Sequence, residues 1–135
     1  MKNDSCFFDT NVLLYLLSGD NIRADRAEAI ISTGGVISVQ VLNEFASLAS
    51  RKLGMPYPEI HETLQTIRVL CIIQPLTIET HELGLDIAER YGISLYDSMI
   101  VSAALQSECT VLYSEDMQHG QEIEAQMVIT NPFLD

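Results

Sequence analysis

The chain has little positive charge: Lys and Arg number 7 against 19 Asp and Glu in 135 residues, a formal charge of −12 and a pI near 4.4. Non-specific affinity for nucleic acid comes mainly from Lys and Arg on phosphates, so this balance excludes a general polyanion binder. Any nucleic acid has to be held locally or through cations, and the same acidity suits a basic protein partner. Cysteine is scarce as well. Cys6, Cys71 and Cys109 lie far apart, each in or beside an apolar run, and no Cys-x-x-Cys occurs. The odd count, that spacing and an N-terminus unlike a secretory leader predict buried free thiols and a reducing, cytoplasmic setting. No apolar run approaches the length of a membrane span, which predicts a chain that stays out of the bilayer. Internal repeats, linkers and low-complexity tracts are missing too.

What is present is a globular composition, 47% hydrophobic and 19% charged, without the polarity of a disordered chain. The length predicts one domain over residues 1–135, large enough for a single core. Cys6-Phe7-Phe8 has the length and character of a buried strand, and Thr10-Asn11 behind it offers cap chemistry for a helix. Further strands are predicted over 36–39, 71–73 and 110–113, with a weaker one over 127–129. Helices are predicted over 12–17, over 22–32 with Asn21 as cap, from a Ser38 cap to about Leu53, over 59–70, from a Thr77 cap to Tyr91 with Gly92 as the stop, and over 95–105. The polar segment 118–126 reads as a loop or a short helix. Strands that are apolar throughout, alternating with helices, predict a three-layer α/β/α fold around a parallel sheet of four to five strands.

Four acids stand out on this map. Asp9 ends the first strand and Asp116 follows the fourth, so both project at the same edge of a parallel sheet, where open α/β sheets bind ligands. Asp97 opens a helix within Ser94-Leu95-Tyr96-Asp97, and Glu44 lies a turn or two inside the third helix beside its apolar stripe. Each has a plainer reading: Asp9 as a helix cap, Asp97 as part of a capping box at a helix dipole, Glu44 as a half-exposed helical glutamate. Taken together they form an oxygen-donor set. Clustered carboxylates take up protons unless a cation holds the charges together, and Mg²⁺ or Mn²⁺ suits such a set. A divalent ion so held supplies both requirements of phosphodiester hydrolysis, an activated water and charge relief on the leaving oxygen.

The four segments also resemble a known family. Phe7-Phe8-Asp9-Thr10-Asn11-Val12 is similar to the opening motif of PIN-domain nucleases, Val41-Leu42-Asn43-Glu44-Phe45 to their second acidic motif, the run from Tyr96-Asp97-Ser98 to Ala104 to the third, and Tyr113-Ser114-Glu115-Asp116-Met117-Gln118 to the fourth. The resemblance spans nearly the whole chain, and its length is that of the small VapC-type toxins of prokaryotic toxin–antitoxin pairs. It implies a Mg²⁺- or Mn²⁺-dependent endoribonuclease with Asp9, Glu44, Asp97 and Asp116 as catalytic metal ligands. By the same likeness Thr10, Asn11 and Ser114 orient carboxylates and water. A homodimer is implied, together with a cognate antitoxin that plugs the acidic site with a basic segment.

Substrate contacts are harder to read from so few cations. Arg51, seven positions after Glu44, falls about 10 Å further along the same helix face and is the candidate RNA contact; its plainer role, shared with Lys52, is as a cation at a helix C-terminus. Arg23, Arg26 and Arg68 read as solvated surface residues. His61, His81 and His119 share no metal-ligand spacing. The competing reading is a PIN-like domain that keeps its carboxylates but acts as a non-catalytic RNA- or protein-binding module.

Overall fold

A computed structural model describes residues 4–134. Strand β1 (Cys6–Phe8) leads into a short helix α1 (Thr10–Leu14), a 3₁₀ turn over Tyr15–Leu17 and helix α2 (Asn21–Ile31). Then come β2 (Gly35–Ser38), α3 (Val39–Leu53), α4 (Tyr57–Leu70), β3 (Cys71–Gln74), α5 (Ile78–Tyr91), α6 (Leu95–Gln106), β4 (Val111–Tyr113), β5 (Glu122–Ile123) and β6 (Met127–Thr130). The strands form one six-stranded sheet in the order β3-β2-β1-β4-β6-β5. Every pairing is parallel except that of β5 with β6.

Burial explains why the sheet is parallel and central. All residues of β1 and β2 are buried, so both faces of the middle of the sheet are covered by helices, which is the environment that continuous apolar strands require. Phe7, Phe8, Ile37, Leu112 and Ile129 are among the largest fully buried side chains, each contributing about 1.5–3 kcal/mol by leaving water. Gly35 opens β2 beneath Phe8: a Cβ there would stand 2.5 Å from the Phe8 ring, so only glycine lets that ring lie flat. Helix α6 is buried from Ser98 to Leu105, as expected of a helix that is apolar all round.

Several expectations are met closely. Ser38 caps α3 by accepting from the Val41 N–H at 3.3 Å. Thr77 caps α5 in a reciprocal arrangement with Thr80, and Gly92 ends it in the left-handed conformation at φ 67°. Cys6, Cys71 and Cys109 are all buried thiols, none of them in a disulfide. Among the described residues no helix is long and apolar enough to cross a membrane.

Other expectations are corrected. The five strands β3-β2-β1-β4-β6 make the expected parallel sheet, but the polar segment 118–126, expected as a loop or short helix, adds a sixth, the two-residue antiparallel strand β5, anchored by the buried Ile123. Such a short strand carries too little pattern to be read. Asp20, not Asn21, caps α2, accepting from the Arg23 N–H at 3.2 Å. Ile22, an apolar residue in the first turn of that helix, is exposed. Ser94 occupies the cap position of α6 but makes no side-chain capping bond, so Asp97 is not part of a capping box.

Candidate functional site

The strand order runs outward from β1 to β2 and β3 on one side, and from β4 to β6 and β5 on the other. At such a reversal the connections leave in opposite directions and open a crevice at the carboxyl ends of the two central strands. Asp9 stands at the end of β1 and Asp116 beyond the end of β4, on either side of that crevice. Their strands are in register, Phe8 opposite Tyr113, and the Asp9 N–H donates to the Tyr113 carbonyl at 2.9 Å.

All four acids line one cavity of about 560 Å³. Asp9 and Asp116 reach it from the sheet edge, Glu44 from α3, and Asp97 from the first turn of α6. Thr10 and Asn11 line it too. Asp9 is 4% exposed and is held at both oxygens. Oδ1 accepts from the Thr10 N–H at 2.7 Å; Oδ2 accepts from the Ser114 hydroxyl at 2.8 Å and from Asn11 Nδ2 at 3.3 Å. Asn11 Nδ2 also donates to Asp116 at 3.0 Å, and its Oδ1 accepts from the Glu115 N–H at 3.1 Å. The Thr10 hydroxyl donates to Glu44 at 2.9 Å. Asp9 is therefore a helix cap and a buttressed cavity carboxylate at once, which merges the two readings of its position.

Burial pushes the Asp9 carboxyl up to about 7, the Ser114 and Thr10 hydrogen bonds oppose that rise, and the charges of Asp97 and Glu44 add to it. Glu44 is raised for the same first reason, opposed by Thr10 and Gln40 and reinforced by Asp97. Mutual repulsion of this kind is the electrostatic signature of carboxylates gathered around one space. The donor set is all oxygen, with no thiolate or imidazole among the residues lining the cavity, and so fits a hard divalent cation. Among the described residues no three acids converge closely enough to make a ready-formed ligand cluster; Asp9 and Asp116 share the Asn11 amide, and Glu44 is held by Thr10.

Arg51 is placed elsewhere. It is exposed, its Nε donates to Ser47 Oγ one turn back at 3.0 Å, and it is not among the cavity residues. Lys52 is among them, with Leu48 and Glu44 on the same helix. The cavity follows the i, i+4 ridge of α3, which winds slowly around the helix, whereas a seven-residue step returns to the starting face. The spacing of four between Glu44, Leu48 and Lys52 was the available signal. Arg23 is not simply solvated either: it pairs with Glu115, donates to the Tyr15 hydroxyl at 2.6 Å and lies over the Tyr15 and Phe133 rings at 5.3 and 5.6 Å. Arg26 donates to the carbonyls of Pro132 and Leu134. Both contacts join residues too distant in sequence for any local pattern to reveal.

Fold and site together define a doubly wound α/β domain with an acid-lined crevice at its switch point. Residues 6–121 match the PIN domain family, and the chain belongs to that family, as the four motifs indicated. Solved structures share the fold: a toxin–antitoxin complex from Klebsiella pneumoniae, at 20% identity and a TM-score of 0.72, over 96% of this chain and 98% of that one; FitAcB from Neisseria gonorrhoeae, at 20% and 0.70, over 95% and 98%; and VapC20 of Mycobacterium tuberculosis, described as a sarcin–ricin loop cleaving toxin, at 19% and 0.68, over 83% and 90%. No curated protein sequence matches the chain.

Proposed function

We propose that this chain is a Mg²⁺- or Mn²⁺-dependent endoribonuclease, the toxin of a type II toxin–antitoxin pair acting in the cytoplasm. The observation that carries the reading is the meeting of four carboxylates from four elements at one crevice, with Asp9 buried and fastened by Ser114, Asn11 and Thr10. Asp9, Glu44, Asp97 and Asp116 would hold the metal. When bound, a divalent ion supplies water activation and charge stabilisation at phosphorus. The chain's own part is positional. Ser114 and Asn11 fix the Asp9 carboxylate, Asn11 ties Asp116 to it, and Thr10 fixes Glu44, so the donors are set before substrate arrives.

Similarity to structures described as toxin–antitoxin complexes supports a cognate antitoxin as partner. A chain of net charge −12, with four of its acids lining one cavity, suits an antitoxin segment rich in Lys or Arg. The homodimer implied by the family likeness belongs to the same proposal. The exposed apolar residues Val69, Leu70, Ile72, Leu76 and Ile78 at and beside the outer strand β3 offer a surface for it to cover.

The test is cleavage of structured RNA by purified protein with Mg²⁺ or Mn²⁺ and with chelator, together with mapping of new RNA 5′ ends after brief expression. Wild type cuts only with metal, and Asp9→Asn, folded by circular dichroism, falls to the level of the chelated enzyme. Metal-dependent cleavage that survives in Asp9→Asn would overturn the mechanism. RNA binding without any cleavage by the wild type would favour the non-catalytic binding module.

A further inference from the structure

The acids occupy only one end of the cavity. Along α3, Glu44, Leu48 and Lys52 all line it, and a rise of about 1.5 Å per residue sets them about 6 Å apart along the helix axis, with Lys52 about 12 Å from Glu44. The half-buried Leu14 and Leu17, which follow Thr10 and Asn11 in the chain, line the cavity as well, with Tyr15, Ser18, Gly19 and Leu53. The cavity therefore runs from acid through apolar to basic, and Lys52 is the sole cation among its lining residues. The function proposed above uses only the first third of that length.

We infer that the remaining two thirds form a nucleotide subsite: one unpaired nucleotide next to the scissile phosphate lays its base against Leu14, Leu17 and Leu48, and the adjoining phosphate pairs with Lys52. The inference rests on the ribonuclease reading and names the part of the substrate it takes. A strip of leucines offers no hydrogen-bond partner, so it receives the flat face of a base by contact and does not discriminate its edges. Within a duplex that face is covered by stacking, and only loops, bulges and ends can present it. Lysine is a compact point charge on a flexible stem, suited to a phosphate that varies in position. The order of charges argues against a protein segment as the natural occupant of this half. A basic peptide is drawn to the acid end but meets like charge at Lys52, whereas a nucleic-acid strand can place one phosphate at each end.

The test uses the full chain with two substrates: an RNA hairpin with an unpaired loop, and bis(p-nitrophenyl) phosphate, which has no second phosphate to pair with Lys52. Lys52→Glu and Leu48→Gln raise KM for the hairpin about 5-fold or more while kcat stays within about twofold. Lys52→Arg restores KM for the hairpin, and hydrolysis of the small diester by wild type reports activity on a substrate with no phosphate for Lys52. Fluorescence anisotropy of a labelled single-stranded oligoribonucleotide in Mg²⁺ reports the same loss of affinity. If wild type cleaves both substrates but Lys52→Glu and Leu48→Gln leave KM and anisotropy unchanged, the subsite is wrong and the ribonuclease reading stands. If wild type cleaves neither, the ribonuclease reading fails, and anisotropy decides the subsite alone, an unchanged affinity in Lys52→Glu overturning it. Tighter binding of a Lys/Arg-rich peptide to Lys52→Glu, with no change in RNA affinity, identifies a basic protein segment as the occupant instead and also overturns the inference.

Discussion

Asp9 concentrates the conflict between stability and function in a single carboxyl group. It is 4% exposed, and in the metal-free protein burial raises it from an ordinary 3.8 to about 7, with hydrogen bonds from Ser114 and Thr10 opposing and the charges of Asp97 and Glu44 adding. The consequence for stability has a definite sign. Below about pH 4 Asp9 is protonated in folded and unfolded chains alike, and it adds no pH dependence. Between about pH 4 and pH 7 the folded chain holds a proton that the unfolded chain has released, so stability falls as pH rises, and above about pH 7 the loss is complete. At about 1.4 kcal/mol per pH unit the loss is on the order of 4 kcal/mol. In chelator, wild type should therefore lose thermal stability from pH 4 to pH 7, and Asp9→Asn should lose much less over the same range, overtaking wild type near neutral pH. Melting curves at pH 4.5, 6 and 7.5 check this. Parallel pH profiles for the two proteins would mean that Asp9 is ionised at little cost, and that the cavity is wetter than its burial indicates. Added Mn²⁺ should restore wild type at pH 7.5 and leave Asp9→Asn unmoved.

At the scale of elements, the turn after β4 decides where Asp116 sits, and it is fastened from two sides. Asn11 holds it from α1 through the Glu115 N–H. Arg23 holds it from α2, pairing with Glu115 and lying over the rings of Tyr15 and Phe133, which pack against each other at 4.6 Å, while the Tyr15 hydroxyl donates to Glu115 at 2.5 Å. Arg23→Ala should therefore lower Tm by a few degrees and weaken Mn²⁺ binding, because the turn carrying Asp116 loses one of its two fastenings. Arg23→Lys should recover less than full stability, since an ammonium group cannot lay a planar fork over the rings while pairing with Glu115. Calorimetric Mn²⁺ titration alongside melting curves tests both, and unchanged Mn²⁺ affinity in Arg23→Ala would confine Arg23 to a structural role. The same turn shows where reading a sequence succeeds and stops. Cys6-Phe7-Phe8-Asp9 and Ser38 are local signals, an apolar run ending in a polar cap, and the structure follows them. The Arg23–Glu115 pair joins residues 92 apart, and β5 exists only because β6 is beside it. No periodicity within a window encodes either. Arg51 and Lys52 fall between these cases: the helix was legible, but which of two adjacent cations faces the cavity depends on how the helix is rotated against α1.

For the whole molecule the proposed function raises the question of how a chain of charge −12 would hold RNA. Its 7 Lys and Arg residues are largely committed within the fold: Arg23 to Glu115, Arg26 to the carbonyls of Pro132 and Leu134, Arg90 to Glu124 at 2.5 Å, and Arg51 to Ser47. Lys52 is the one cation lining the cavity, and on the proposed function divalent ions at its acid end would meet the scissile phosphate. Substrate recognition should then depend on metal and contact more than on a field of positive charge. The salt dependence of binding measures the difference. A protein that neutralises 6–10 phosphates loses about 10³–10⁵ in affinity between 50 and 200 mM salt, whereas one phosphate contact on a single strand, with a slope of about −0.7, costs about 3-fold over the same range. At constant saturating Mg²⁺, raising KCl from 50 to 200 mM should therefore weaken binding of a single-stranded oligoribonucleotide by about 3-fold in wild type, and by almost nothing in Lys52→Gln. A loss of about 30-fold or more in wild type would show that several further cations engage the strand. Those cations would have to come from outside the cavity, from a second copy of the chain or from the exposed Arg51 and Arg68, and the acid-to-base order of the cavity would then no longer account for how RNA is held.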